Sequence, residues 1–294
     1  MSEKHNFAVG GQALMEGVLF RGAEKTAMAV RKPDGDICVK SYVQRPLTKS
    51  HKLLSLPIIR GAVTLFDALK TGMKMLALSA DISEGEEEKT ISKKELGLTM
   101  VAAMFFSILL FFVLPTLLSG LVIDGEQSNI YYNLIEGLFR MIIFLGYVLV
   151  ISRLKEIHRF FQYHGAEHMV IHCYEKEKEL TVDNAKEMTT LHPRCGTAFM
   201  LLVMVVSILF FSLFPWGNIL SRVVIRVLAV PFLAGLAYEI NRLAYKTSIF
   251  KPLLLPGLWL QLLTTKRPDD GQLEVALTSF KAVLLDDEVE SEQI

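Results

Sequence analysis

An excess of charge of either sign is missing from this sequence: Lys+Arg and Asp+Glu stand at 31 each in 294 residues. With no basic surplus to neutralise phosphates, nucleic acid is not an expected partner. Cysteine is scarce as well. Cys38, Cys173 and Cys195 are an odd number with no C-x-x-C pair, which speaks against a disulfide framework and for reduced thiols. Met1 to Gln12 is polar and holds no apolar run, so no cleavable signal peptide is expected. Gly10-Gly11 is not followed by G-x-x-x-x-G-K-[ST], which removes a phosphate loop. The twelve methionines contain no M-x-x-M copper pattern and read as packing. There is no internal repeat.

What is present is apolar length. Hydrophobic residues make up 51% of the chain and the mean hydropathy is +0.37. These values predict membrane spans joined by substantial polar segments. Leu96 to Ile123 contains no charged residue and is long enough to cross about 30 Å of hydrocarbon, with a kink expected at Pro115. Further spans are predicted at about Leu134–Ile151, Gly196–Trp216 and Ile219–Ile240. Glu136 and Arg140 near the start of the second, and Arg222 and Arg226 near the start of the fourth, lie at equivalent depth. Glu136 is expected to neutralise one of these arginines between the two helices; a polar pathway for an anion or proton is the alternative.

The connections Asp124–Asn133 and Pro215–Ser221 carry no Lys or Arg, whereas Arg153–Arg194 carries Arg153, Lys155, Arg159, Lys176, Lys178, Lys186 and Arg194. The positive-inside rule then puts both termini and this long loop in the cytoplasm of a multi-pass protein of the inner or plasma membrane. The predicted fold is mainly α and polytopic. It is a four-helix transmembrane bundle with a cytosolic face of amphipathic helices and a small N-terminal β-hairpin.

Three regions follow. Residues 1–95 hold a Gly-bracketed loop at Gly10–Gly22, a hairpin around Pro33-Asp34-Gly35, an amphipathic helix over Leu56–Ala80 and an acidic linker at Asp81–Lys94. Residues 96–250 are the bundle with its His-rich loop 153–195. Residues 251–294 hold an interfacial or re-entrant segment around Trp259 and a final amphipathic helix at Gln272–Leu285.

Four of the seven histidines fall between His158 and His172. On a helix, residues four apart differ by only about 40°, so His164, His168 and His172 share one face, with Glu167 beside them. His164-Gly-Ala-Glu167-His168 matches H-x-x-E-H, in which two histidines bind zinc and the glutamate is the general base. His192 and Cys195 have the short H-x-x-C spacing of zinc ligands, in a turn fixed by Pro193 and Gly196 and placed by topology on the same membrane face. Glu239, at the end of the fourth span, is a further candidate; its alternative is a surface pair with Arg242 or Lys246. The predicted site is therefore His164, His168 and one of His192, Cys195 or Glu239 on Zn2+, with Glu167 as the catalytic base. His172 is either a ligand or a partner that orients one. His5 and His51 stand alone and carry no role.

Gly10-Gly11-Gln12-Ala13-Leu14-Met15-Glu16-Gly17-Val18, Tyr163-His164-Gly165-Ala166-Glu167-His168, His192-Pro193-Arg194-Cys195-Gly196-Thr197 and Pro256-Gly257-Leu258-Trp259-Leu260-Gln261 with Gln272-Leu273-Glu274-Val275-Ala276 together resemble the YqhQ family over nearly the whole chain. These are bacterial membrane proteins of unknown function, with plastid relatives, named as predicted metal-dependent enzymes. The resemblance implies a membrane location and a metal, and it marks Gln12 and Glu16 as candidates to line the site. The leading expectation is a zinc-dependent hydrolase acting on a membrane-bound substrate at the cytosolic face, with the lipid bilayer as its other partner. A small transporter or metal-handling protein, and a scaffold with a structural metal, are the alternatives. The sequence does not set an oligomeric state.

Overall fold

Val18, Leu19, Phe20, Ala27, Met28, Ala29 and Val30 are all buried, too many consecutive apolar residues for a sheet with one wet face. They lie in a four-stranded antiparallel meander, β1 (Gly10–Leu14), β2 (Gly17–Arg21), β3 (Lys25–Arg31) and β4 (Ile37–Val43), paired in that order. This is a computed structural model. It describes residues 9–43, 46–85, 93–123, 128–214, 218–247, 252 and 255–284. The acidic run at 86–92, His5 and Trp216 lie outside the described residues.

The expected hairpin is β3–β4. Gly35 takes φ +95°, and the Asp36 N–H is held by Asp34 Oδ1 at 3.0 Å. The Gly10–Gly22 stretch corrects the sequence reading. It is not a loop but a second hairpin, β1–β2, closed by Met15-Glu16 with Leu14 opposite Gly17. Short strands buried on both faces do not alternate apolar with polar residues, so periodicity does not reveal them.

Both faces of the sheet are covered. Val18, Phe20, Ala27 and Ala29 pack on α5 (Lys155–Glu175) and α10 (Asp270–Leu284), and the Phe20 and Phe280 rings meet edge to face at 4.9 Å. Leu14, Leu19, Met28 and Val30 pack on Met75 and Ile82 of α1 (Ile59–Ser83). Burying each such side chain contributes about 1.5–3 kcal/mol, so this α/β/α layer fixes α5 firmly. At its other end, α1 docks Gly61 onto Gly235 and Tyr238 of α8 (Ile219–Lys246).

The rest is helical, with the five-residue α6 (Val182–Lys186) following α5. Among the described residues three helical stretches, Gly97–Val122, Asn129–Ile151 and Ile219–Ala244, are long and apolar enough to cross a membrane. The fourth expected span falls on α7 (Gly196–Phe211), which is apolar but only 16 residues long, about 24 Å at the helical rise. The first stretch is α2 (Lys93–Ile108), a π-turn at Leu109–Val113 and α3 (Leu114–Val122). The irregularity has a local cause. Pro115 has no N–H to offer the Phe111 carbonyl, and that carbonyl accepts from Arg140 Nε at 2.9 Å instead.

Glu136 of α4 (Asn129–Ile151) is fully buried and pairs with Arg140, Arg222 and Arg226 together. Thr116 Oγ1 donates to it at 2.9 Å. The α4 and α8 starts therefore lie side by side. The link between them is α7, whose far end is placed by the Phe214 carbonyl accepting from Asn133 Nδ2 at 3.1 Å. Finally, α9 (Leu255–Thr264), ten residues long, packs Gly257 against Ala198 of α7.

Candidate metal centre

From Phe161 to Cys173 nearly every residue of α5 is buried. One side of the helix, with Tyr163, Ala166, Met169 and Val170, belongs to the core under the sheet. The other carries His164, His168 and His172 towards the chain at 189–195 and 264–266. That approach is close. A Cβ on Gly165 would stand 2.0 Å from the Lys266 carbonyl oxygen, whose own N–H bonds the Phe161 carbonyl at 2.9 Å. Only glycine fits there.

Backbone carbonyls set the imidazole tautomers. His164 Nδ1 lies 2.8 Å from the Thr264 carbonyl and His168 Nδ1 2.5 Å from the Thr190 carbonyl. A carbonyl only accepts, so both Nδ1 atoms carry the proton and both Nε2 atoms offer a lone pair. His164 Nε2 faces Cys195 Sγ at 3.1 Å. His168 Nε2 is buried and has no hydrogen-bond partner among the described residues. Ligand atoms of His164, His168 and Cys195 all lie within 4.8 Å of one another, and all three residues are buried. Cys195 also caps α7, its Sγ accepting from the Thr197 N–H at 3.4 Å. A helix N-terminus favours negative charge on that sulfur.

A second group lies one helical turn on. His172, Glu175 and His192 also bring ligand atoms within 4.8 Å of one another, and the His192 ring stands 4.7 Å from His172 and 5.6 Å from His168. Its chemistry differs. The Arg194 N–H donates to His192 Nδ1 at 3.3 Å, which leaves the proton on Nε2, 3.4 Å from Glu175 Oε2. Glu175 is also paired with Arg194, so this group resembles a hydrogen-bonded chain more than an open set of lone pairs.

Burial sets the electrostatics. It pushes His168 down to about 2, helped by the nearby His164, and His192 down to about 4; His172 is lowered for the same reason. Glu167, 5% exposed, is pushed up to about 8 by burial; His164 opposes the shift and Cys195 adds to it. The Cys195 thiol is raised by burial against its bonds to Thr197.

The remaining sequence candidates fall elsewhere. Glu239 belongs to neither group: Arg60 of α1 grips both of its oxygens through Nε and Nη2, with Arg242 adding only its charge. Gln12 and Glu16 follow the strand geometry. Gln12 faces α1, its amide against Gly72. Glu16, at the hairpin tip with φ 48°, pairs with Arg159 and accepts from the Tyr163 hydroxyl at 3.1 Å. The β1 residue that meets the site is Gly11, where a Cβ would come within 2.6 Å of the Glu167 side chain. Sequence reasoning also missed Gln261, fully buried, whose amide clamps the His192 N–H and carbonyl at 2.8 Å each. A lone amide in the apolar run Leu258–Leu263 is the signal that marks it.

Zinc ligands at about 2.0–2.3 Å in a tetrahedron stand roughly 3.3–3.8 Å apart. Two imidazole nitrogens and a sulfur already within 4.8 Å, with an orphaned nitrogen among them, fit such an ion. No solved structure matches the chain. Residues 56–286 match the family model described as "Protein of unknown function (DUF1385)". The chain is 38% identical to the "Uncharacterized protein YqhQ" of Bacillus subtilis (strain 168), over 94% of its own length and 92% of the relative's. The chain therefore belongs to the DUF1385 family, which includes YqhQ.

Proposed function

We propose that this protein is a multi-pass membrane protein carrying a zinc-dependent hydrolase site on its cytosolic face. His164, His168 and Cys195 would hold the ion and Glu167 would act as the base. The observation that carries the reading is the pair of Nδ1–carbonyl bonds. They orient two imidazoles so that the His164 Nε2 lone pair faces Cys195 and the His168 Nε2 lone pair is left for an ion, as outer hydrogen bonds do around metal-ligating histidines. Three protein ligands leave a position open, the mark of catalytic rather than structural zinc. Bound there, the ion would supply Lewis acidity.

The chain's own residues do the rest. Without a nearby cation, Glu167 holds a proton at neutral pH, because burial raises it to about 8. Glu167 would be a carboxylate once the three ligand atoms held a cation, and could then accept a proton from a nucleophile. Glu175 and His192, in the neighbouring group, can hold a proton or pass one towards solvent.

The topology follows from charge. The segment 153–194 holds all the Lys and Arg found between the second and fourth apolar helices, so it faces the cytoplasm. The α4 and α8 starts share the Glu136 cluster, so these helices run parallel and α7 must return between them. At about 24 Å it crosses a locally thinned bilayer or relies on flanking residues.

Elemental analysis of the detergent-purified protein tests the reading. About one zinc per chain is expected. His168→Ala and Cys195→Ser should lose it, whereas Glu167→Gln should keep it and lose hydrolysis of a generic ester or peptide substrate. Full metal occupancy in the Cys195→Ser protein, or none in the wild type, overturns the site.

A further inference from the structure

Two arginines of this molecule grip a carboxylate with the same edge of the guanidinium. Arg60 holds Glu239 through Nε and Nη2, and Arg159 holds Glu16 through Nε and Nη2. Arg21 presents the same pair of atoms, but its Nε and Nη2 are buried with no hydrogen-bond partner among the described residues. A buried guanidinium edge without a partner is costly, and burial lowers the Arg21 pKa even though the charge of Asp67 supports it.

Arg21 ends β2 and points, with Leu19, to the α1 side of the sheet, opposite the histidines on α5. It lines a cavity of about 180 Å³ between that strand end and α1. Thr48, Thr64 and Asp67 give the cavity polar groups, and Leu47 and Val63 give it apolar wall. A cavity of about 150 Å³ holds a benzene-sized molecule. Among the described residues that line it, one guanidinium beside one carboxylate suits a ligand with a single negative charge, since a dianion would meet that one cation and the repulsion of Asp67.

We propose that Arg21 anchors a second binding site, independent of the histidine centre, for a small monocarboxylate with an apolar body. The carboxylate lies on the Nε/Nη2 edge, as Glu239 and Glu16 do on theirs. The body fills the space beside Leu47 and Val63.

The full-length protein in detergent, in buffer free of carboxylates and phosphate, is titrated calorimetrically with benzoate and with butyrate. Inorganic phosphate serves as the competing oxyanion. At least one monocarboxylate should bind saturably and raise the melting temperature. Arg21→Met should weaken it at least tenfold, while its ligand-free form melts at or above the wild type because an unpartnered buried cation is gone. Val63→Phe keeps the arginine, fills the cavity and should abolish binding. Metal content should be unchanged in both variants, which separates this result from any failure of the zinc reading. The proposal is overturned by undiminished binding in either variant, by phosphate displacing both monocarboxylates, or by no saturable binding in the millimolar range.

Discussion

His168 is held neutral by burial, with its one proton on Nδ1, and this makes the metal-free protein sensitive to pH. Between about 2 and its ordinary value of 6.5, His168 binds a proton only when the chain unfolds; His192 does so between about 4 and 6.5. The unfolded state binds more protons there, so stability rises with pH up to about 6.5. Glu167 works the other way. From 4.5 to about 8 the folded state keeps a proton that the unfolded chain releases, so its contribution falls as pH rises. Below 6.5 the two histidines outweigh the one carboxyl; above it the carboxyl acts alone. The metal-free protein should therefore melt highest near pH 6.5 and lower towards pH 8. Glu167→Gln should flatten the alkaline limb and leave the acid limb in place. An alkaline limb unchanged in that variant would remove Glu167 as its source. Zinc uptake should run oppositely to the alkaline loss, strengthening with pH, because Cys195 must give up its proton to the ion.

These residues were legible in the sequence to different degrees, for geometric reasons. His164 and His168 are four apart on a helix, and helical period alone puts them on one face. Spacing also joined Cys195 to His192, but the chain between them turns and divides the two between neighbouring groups. Glu239 could be assigned a depth but not a direction, and α1 supplies Arg60 on the side it faces. The carbonyls of Thr190 and Thr264, which fix the ring tautomers, leave no mark in a sequence because every residue has one.

Elements bring these groups together through close approaches, and two glycines test that. Gly165 lets α5 meet the chain after α9, and a Cβ at 2.0 Å from the Lys266 carbonyl has no room. Backbone must move, so Gly165→Ala should cost about 1–3 kcal/mol or more and loosen the bond of His164 to Thr264. The measurement is thermal unfolding together with zinc content, and both should fall. Gly11→Ala differs, because what it meets is a side chain. Its Cβ would press the Glu167 carboxylate at 2.6 Å, which can swing aside. Zinc should be retained, hydrolysis reduced and the melting temperature little changed. Equal loss of zinc in both variants would show that β1 supports the ligands rather than the base. Of the elements themselves, the β3–β4 turn at Pro33-Asp34-Gly35 and the helical run of α1 could be read from local signals. The β1–β2 hairpin could not, since strands covered by helices on both faces lose the alternation that identifies them.

The two ends of α8 carry one buried and one partly exposed carboxylate contact, and together they test how the bundle is held. At its start, Glu136 of α4 is 0% exposed and serves Arg140, Arg222 and Arg226 at once, with Thr116 and Asn133 completing the cluster across α3, α4 and α8. Near the other end, the Glu239–Arg60 pair keeps roughly a quarter of each side chain exposed. Removing one partner of a buried charge cluster strands the rest, at about 3–5 kcal/mol, whereas an exposed pair contributes about 1 kcal/mol or less. Glu136→Gln should therefore lower the melting temperature of the detergent-purified protein sharply, or prevent its recovery, and Glu239→Gln should shift it by a few degrees. If the cluster is structural, converting Glu136 and Arg226 together to leucine and methionine should recover part of the loss, because fewer cations are left facing no carboxylate. A double variant as unstable as Glu136→Gln alone would mean that the arginines are held by something other than this carboxylate. Cysteine labelling of the same proteins in intact membranes separates folding from orientation. Under the proposed topology, a cysteine in the 176–186 segment reacts only once the cytoplasmic side is opened, and one at Ser128 reacts from outside.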